Sequence, residues 1–93
     1  MKISACIITY NHEPFLRKCI EGAILQKLNC EYEIIIGEDF STDKTLDICK
    51  EYQLKYPNII RLLPSNHNHG MKGNWLRTIS ECTGKYIAIC EGD

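Results

Sequence analysis

The sequence predicts an α/β fold, with an open, mainly parallel sheet of about four strands and helices on both faces. Short β-branched apolar runs alternate with segments whose apolar residues recur at helical spacing. Strands joined through helices are normally parallel, with right-handed crossovers. The length of 93 residues, with 44% apolar and 25% charged residues, is that of one globular domain, residues 1–93.

The first half of the chain predicts two strands and two helices. Residues 3–9 and 33–37 are short apolar runs of the kind that form buried strands. The first helix presents apolar residues over 15–24, with Asn11 or His12 as its cap and Pro14 in its first turn. The second helix has its apolar face over 46–56, including Tyr52 and Tyr56. Ser41 or Thr42 is its expected cap, with Asp43 in the first turn.

The second half predicts strand, helix and strand. Residues 59–63 form the third strand, and a polar loop over 64–70 follows. Trp75, Leu76, Ile79 and Cys82 mark the third helix, with Gly84 at its C′ position. Residues 85–90 form the fourth strand.

Charge and composition exclude several functions. A net charge of −1 leaves no electrostatic footprint for nucleic acid. The longest uncharged apolar run, residues 3–10, is shorter than the roughly 20 residues of a membrane span. We expect no signal peptide, reduced thiols and a cytoplasmic location, with the inner face of the membrane left open for a longer protein. The six cysteines form no CxxC pair, and Cys6 and Cys90 are expected to be core thiols.

Polar side chains follow each predicted strand, where ligands bind in open parallel sheets. They are Tyr10, Asn11 and Glu13; Glu38, Asp39 and Asp43; Asn66, His67, Asn68 and His69; and Glu91 and Asp93. Asp43 lies where a helix dipole favours an anion, so we interpret it as a helix-start residue. Asp39 and Asp93 are not needed to start an obvious helix, so we assign them to function.

The sequence has no glycine loop that could cradle a phosphate. It contains neither GxGxxG nor the P-loop pattern, and a receiver domain would need acids where Tyr10 and Asn11 stand. A divalent ion is the natural substitute. Glu91 and Asp93 are hard oxygen ligands that suit Mg²⁺ or Mn²⁺ shared with a pyrophosphate.

Taken in order, four stretches and one single residue resemble the start of a family 2 glycosyltransferase with the GT-A fold. They are Ile7-Ile8-Thr9-Tyr10-Asn11, Gln26, the run from Glu38 to Thr45, Gly84-Lys85-Tyr86-Ile87 and Glu91-Gly92-Asp93. Each piece is short, but the ordered set spans the chain. The resemblance implies transfer of a sugar from a nucleotide-diphosphate donor, expected to be a UDP-sugar, to an acceptor hydroxyl, with Mg²⁺ or Mn²⁺ as cofactor.

The resemblance also implies roles for residues near the nucleotide. Tyr10 would stack on or border the uracil ring, with Asn11 and Glu13 in the same loop. Asp39 would accept a hydrogen bond from the base or the ribose. Lys72 and Asn74 fall where the family has polar residues near the nucleotide.

For the metal, the resemblance implies that Asp93 is the ligand of a DxD-type motif and that Glu91 is its first acid, which is also expected to bind the nucleotide. Glu91 departs from the usual Asp, and Glu38 replaces the first of a usual Asp pair. A complete GT-A domain is longer than this chain. We therefore expect an N-terminal part that binds the donor, with the catalytic base beyond Asp93, and that is inactive and self-associating when alone.

Other interpretations remain beside these. The rival function is a non-catalytic nucleotide-binding or protein-interaction module, which donor binding and turnover would distinguish. A solvated loop is the expectation for His67 and His69, with a metal site as the alternative. His12 is expected to start a helix, with a general base as the alternative. Trp75 is expected to anchor the core, with a sugar platform as the alternative.

Overall fold

A computed structural model describes residues 2–25, 31–63 and 65–91, and the side chains up to residue 89. Predicted positions outside the described residues are Gln26 and Asp93, together with the side chains of Cys90 and Glu91. Within the described residues, no helix is long and apolar enough to cross a membrane.

Strands and helices alternate along the described chain. They are β1 (Lys2–Thr9), α1 (Glu13–Leu25), β2 (Glu31–Glu38), α2 (Thr45–Lys55), β3 (Ile60–Leu63), α3 (Gly70–Ser80) and β4 (Tyr86–Glu91). The sheet order is β3-β2-β1-β4, and all three pairings are parallel. The predicted open α/β sheet is confirmed.

The apolar core lies between one face of the sheet and helices α1 and α2. Side chains from one face of the strands, such as Ile7 and Ile36, join Leu16 and Ile20 of α1 and Ile48 of α2 in one buried cluster. Successive side chains of a strand point to opposite faces of the sheet, so the strand residues next to those in the cluster face away from α1 and α2. Tyr52 is buried and Tyr56 packs against the same cluster, as predicted.

Helix α3 covers the opposite face through a close contact with β2. A Cβ atom on Gly37 would overlap the side-chain oxygen of Thr78 and would lie 3.0 Å from Asn74 Oδ1. Asn74 and Thr78 are both buried. The absence of a side chain at Gly37 therefore lets α3 approach the carboxyl end of β2.

Three details of the sequence prediction are wrong. Helix α3 begins at Gly70 and ends at Ser80, so Cys82 lies beyond it and Gly84 is not its C′ residue. Gly84 instead donates its backbone N–H to Ser4 Oγ at 2.8 Å. Trp75 is 38% exposed and does not anchor the core.

The predicted cap of α2 is also wrong. The N-cap position is Lys44, and it makes no side-chain cap hydrogen bond. Ser41 Oγ accepts the backbone N–H of Asn11, and the Thr42 backbone N–H donates to Asn11 Oδ1. The side chains of Ser41 and Asn11 therefore connect two loops, and neither Ser41 nor Thr42 caps α2. The local sequence does not reveal these contacts, because the partners lie about thirty residues apart in the chain.

Candidate functional site

A cavity of about 820 Å³ opens beside the carboxyl ends of β1 and β2. It is lined by Ile8, Thr9, Tyr10, His12, Asp39, Asn68, Gly70, Met71, Lys72, Asn74 and Trp75. The structure thus brings together four predicted nucleotide-binding residues, Tyr10, Asp39, Lys72 and Asn74. Asn68, Met71 and Trp75 also line it. Sequence reasoning gave Met71 no role, named Asn68 only among the polar residues after the third strand, and weighed a sugar platform for Trp75 only as the alternative to a core anchor.

Asp39 joins the cavity to the start of α3. Its Oδ1 accepts the backbone N–H of His69 at 2.6 Å, and its Oδ2 accepts that of Gly70 at 3.1 Å. His69 Nδ1 lies 3.3 Å from Oδ1. The expectation that Asp39 is not needed to start a helix is therefore wrong. A carboxylate has about four lone-pair positions, so this one keeps a little acceptor capacity for a ligand.

Buried Glu38 shapes the turn that presents Asp39. Its carboxylate accepts the backbone N–H of Phe40 at 3.1 Å and of Ser41 at 2.8 Å. Phe40 has a φ of 58°, an uncommon conformation for a non-glycine residue. Burial, followed by the Glu38 charge, raises the pKa of the Cys49 thiol to about 12. That thiol therefore stays protonated.

Asn11 and Glu13 connect the loop after β1 to the loop after β2. Glu13 Oε1 accepts the backbone N–H of Lys44 at 3.0 Å, and the Glu13 backbone N–H donates to Asp43 Oδ2 at 3.3 Å. Burial raises the pKa of Asp43, but hydrogen bonds from Thr45 and Glu13 outweigh it and leave that pKa lowered. Neither Asn11 nor Glu13 is among the residues that line the cavity, and their hydrogen bonds support the loop that carries Tyr10.

Asn74 ties α3 to the sheet beneath the cavity. Its Nδ2 donates to the Gly37 carbonyl at 2.8 Å, and its Oδ1 accepts from Arg77 Nε at 2.8 Å. Arg77 also donates to the Glu38 and Leu63 carbonyls at 2.8 and 2.9 Å. Burial lowers the pKa of Arg77, and the charges of Asp39 and Glu38 oppose that change. This network holds the carboxyl ends of β2 and β3 in place.

His12 begins α1 as predicted, because its carbonyl accepts the backbone N–H groups of Phe15 and Leu16, both at 2.9 Å. Its ring also lines the cavity. The Tyr10 backbone N–H donates to His12 Nδ1 at 3.4 Å, and Thr9 Oγ1 lies 3.1 Å from the same nitrogen. Since an amide N–H can only donate, Nδ1 is the acceptor in the contact with Tyr10.

The exposed loop before α3 shows no metal cluster. The His67 and His69 rings lie 4.4 Å apart, and His67 Nδ1 is 2.7 Å from Asn66 Oδ1. Among the side chains of residues 2–25, 31–63 and 65–89, no group of three or more His, Cys, Asp or Glu is placed to hold a metal ion. The predicted metal acids are outside that search, because Asp93 and the Glu91 side chain are not described.

Comparison with known proteins gives a family match and relatives that are named as glycosyltransferases. The family model for "Glycosyl transferase family 2" matches residues 4–93. The dTDP-rhamnosyl transferase RfbG of Shigella flexneri is 41% identical over 87 residues, covering 91% of this chain and 30% of that protein. The poly(ribitol-phosphate) beta-glucosyltransferase of Bacillus spizizenii is 34% identical over 94 residues, covering 100% of this chain and 15% of that protein.

The solved structures of TarS of S. aureus have a similar fold. TarS 1-349 of S. aureus in complex with UDP has a TM-score of 0.82 and 25% identity, and the match covers 100% of this chain and 28% of TarS 1-349. Its complex with UDP-GlcNAc gives a TM-score of 0.80 at 25% identity, covering 100% and 27%. The chain spans about a quarter of the mycobacterial protein Rv1520, at 36% identity over 91 residues and 98% of this chain. The fold, the ordered motifs and the family match together show that this chain belongs to glycosyl transferase family 2.

Proposed function

We propose that residues 1–93 form the donor-binding half of an enzyme that transfers a sugar from a UDP-sugar to an acceptor hydroxyl with the help of a divalent cation. The observation that carries the proposal is the cavity beside β1 and β2. It combines apolar and aromatic walls with a few polar groups, which is the usual make-up of a cofactor or nucleotide site.

The lining residues suit the parts of a nucleotide. Tyr10 is 43% exposed and offers an aromatic face to a base. Asp39 keeps acceptor capacity for a base or ribose N–H or O–H, and Lys72 offers a cation to a diphosphate. Asn11, Glu13 and Asn74 act in this proposal by holding the surrounding loops and α3 in position.

The position of β4 supports a metal beside this cavity. Glu91 is the Cα partner of Ile8, and Ile8 lines the cavity. The carboxylates of Glu91 and Asp93 are the hard oxygen donors that Mg²⁺ and Mn²⁺ prefer. A bound divalent ion would neutralise the charge that develops on the departing diphosphate.

The reaction in this proposal is a displacement at the anomeric carbon of the donor sugar. The acceptor hydroxyl forms the new C–O bond, a carboxylate base takes its proton, and the bond to the diphosphate breaks to release UDP. The chain's own residues bind and orient the donor. The base belongs to a part of the enzyme beyond Asp93.

The relatives support this choice of donor. The TarS structures with UDP and UDP-GlcNAc share the fold over the whole chain, and two relatives carry glycosyltransferase names. RfbG is named for a dTDP-sugar, so the identity of the nucleobase in the donor must be tested directly.

The test is calorimetric titration of the 93-residue chain with UDP, dTDP, ATP and NAD, with and without Mn²⁺. We expect UDP to bind more tightly than ATP or NAD, and Mn²⁺ to strengthen it. Tyr10→Ala should weaken UDP binding, whereas the control Phe15→Ala, an exposed aromatic on α1 outside the cavity, should not. No binding of either pyrimidine nucleotide would overturn the proposal, and tighter binding of dTDP would overturn the choice of uracil.

A further inference from the structure

Trp75 is an aromatic side chain that lies outside the buried core cluster. It is 38% exposed on α3, while its neighbours Asn74 and Thr78 provide the buried contacts of that helix. Trp75 and Met71 are four residues apart, so they share one face of the helix, and both line the cavity. We infer that Trp75 is a second aromatic contact for the base of the bound nucleotide, supplied by a different element from Tyr10. This inference rests on the proposed function.

The chemistry of the surrounding wall fits a nucleobase. A pyrimidine has two π faces and a polar edge. Tyr10 and Trp75 both offer aromatic surface, and Ile8 and Met71 add apolar area. Asn68 donates from Nδ2 to the Asp39 carbonyl at 2.6 Å, which leaves its amide oxygen as an acceptor for the polar edge.

The sheet order distinguishes the base from the sugar as the partner of Trp75. Asp39 follows β2, Glu91 ends β4, and β1 lies between these two strands. In the proposed site Asp39 meets the base or ribose, and the diphosphate and sugar extend towards Glu91. Asp39 accepts the backbone N–H groups of His69 and Gly70, so the first turn of α3, which leads to Trp75, lies beside Asp39. Trp75 therefore belongs to the base end of the site.

The chain provides its own probe, because Trp75 is its only tryptophan. The first experiment follows tryptophan fluorescence of the unmodified chain during titration with UDP, UMP and pyrophosphate. We expect saturable quenching by UDP and UMP, which carry the base, and no change with pyrophosphate. Quenching by pyrophosphate equal to that by UDP would overturn the assignment to the base.

The second experiment measures the Kd of UDP by calorimetry in Trp75→Leu, Trp75→Phe and the control Leu76→Ala. Loss of a base–aromatic stack should raise the Kd of UDP by about 5- to 150-fold. We expect that loss in Trp75→Leu, substantial retention in Trp75→Phe and no change in Leu76→Ala, whose side chain is exposed outside the cavity.

The two proposals fail in different ways. If the unmodified chain does not bind UDP, the proposed function is wrong. If it binds UDP with the same Kd in Trp75→Leu, and its tryptophan fluorescence does not respond, the donor site stands and the role of Trp75 is wrong.

Discussion

Asp39 illustrates how one side chain serves both the fold and the site. Its carboxylate accepts two backbone N–H groups at the start of α3 and also lines the cavity. An anion at a helix N-terminus is stabilised by the helix dipole as well as by these hydrogen bonds. A change at this residue should therefore alter stability and ligand binding together.

We predict that Asp39→Ala lowers the free energy of unfolding by about 1–2 kcal/mol, the usual cost of losing a helix cap. The same change should weaken UDP binding by about 1–3 kcal/mol through the lost charged hydrogen bond. Urea unfolding and calorimetry measure the two effects. Asp47→Ala, an exposed carboxylate in the first turn of α2, is the control. Unchanged UDP affinity in Asp39→Ala would remove Asp39 from the site.

Glu33 leads to a pH prediction at the opposite end of the sheet. Burial raises its pKa, but hydrogen bonds from Ser4 and Thr83, with the charge of Lys2, outweigh burial and leave the pKa below 4.5. A lowered folded-state pKa means that the stabilisation is present above the unfolded-state pKa and is lost as pH falls through the folded-state pKa.

Thermal unfolding measured from neutral to acidic pH tests whether the ionised Glu33 carboxylate stabilises the fold. The unmodified chain should be more stable than Glu33→Gln near neutrality, and the difference should narrow in acid, below the ordinary glutamate pKa of 4.5. A difference that stays constant across the titration would show that the Glu33 charge does not stabilise the fold.

At the scale of elements, the contact between α3 and β2 depends on Gly37. A methyl group there would overlap Thr78, which is buried and donates its hydroxyl to the Asn74 carbonyl at 2.7 Å. We predict that Gly37→Ala destabilises the chain by about 1–3 kcal/mol, as overpacking of a core contact does.

A matched glycine provides the control. Gly22 lies in α1 with open space where a Cβ would stand, so Gly22→Ala should be neutral or stabilising by up to about 1 kcal/mol. Adding Thr78→Ala to Gly37→Ala should recover part of the loss, because it removes the overlapping oxygen. Chemical denaturation of these three variants and of Thr78→Ala alone measures this coupling, and equal effects at both glycines would contradict the close-contact explanation.

At the scale of the whole molecule, β4 is an edge strand of the described sheet. Among the described strands it pairs only with β1, and Ile87 and Ile89 are 41% and 47% exposed. No charge or proline interrupts residues 86–90, although natural sheets usually protect an edge with such residues. Antiparallel pairing of two copies centred on Ala88 would place Lys85 opposite Glu91 and Ile87 opposite Ile89.

We therefore predict that the 93-residue chain self-associates through β4. Analytical ultracentrifugation should show dimers whose population rises with concentration. Ile87→Lys should shift the equilibrium to monomer, and Leu54→Lys, at an exposed position on α2, should not. A stable monomer at high concentration would contradict this prediction.

We also predict that the isolated chain binds UDP-GlcNAc without transferring its sugar. The proposed reaction needs an acceptor and a base, and the proposed base lies beyond Asp93. A UDP-release assay with the 93-residue chain measures this directly. Sugar transfer by this chain alone would show that the catalytic base is among its own residues.

The sequence by itself determined the order of the elements, the parallel sheet and the family. These follow from local periodicity, from the handedness of crossovers and from short motifs that are contiguous in the chain. It also located Tyr10 and Asp39, because polar residues at the carboxyl ends of parallel strands meet at one edge. Lys72 and Asn74, which also line the cavity, were named only from the family resemblance.

Only the tertiary structure decided the start of α3, the second role of Asp39 and the exposure of Trp75. The cap of α3 is supplied by a residue about thirty positions earlier in the chain, so local cap signals could not reveal it. Helical periodicity identifies an apolar face but not what covers it. The close approach permitted by Gly37 buries Asn74 and Thr78 and leaves Trp75 beside the cavity.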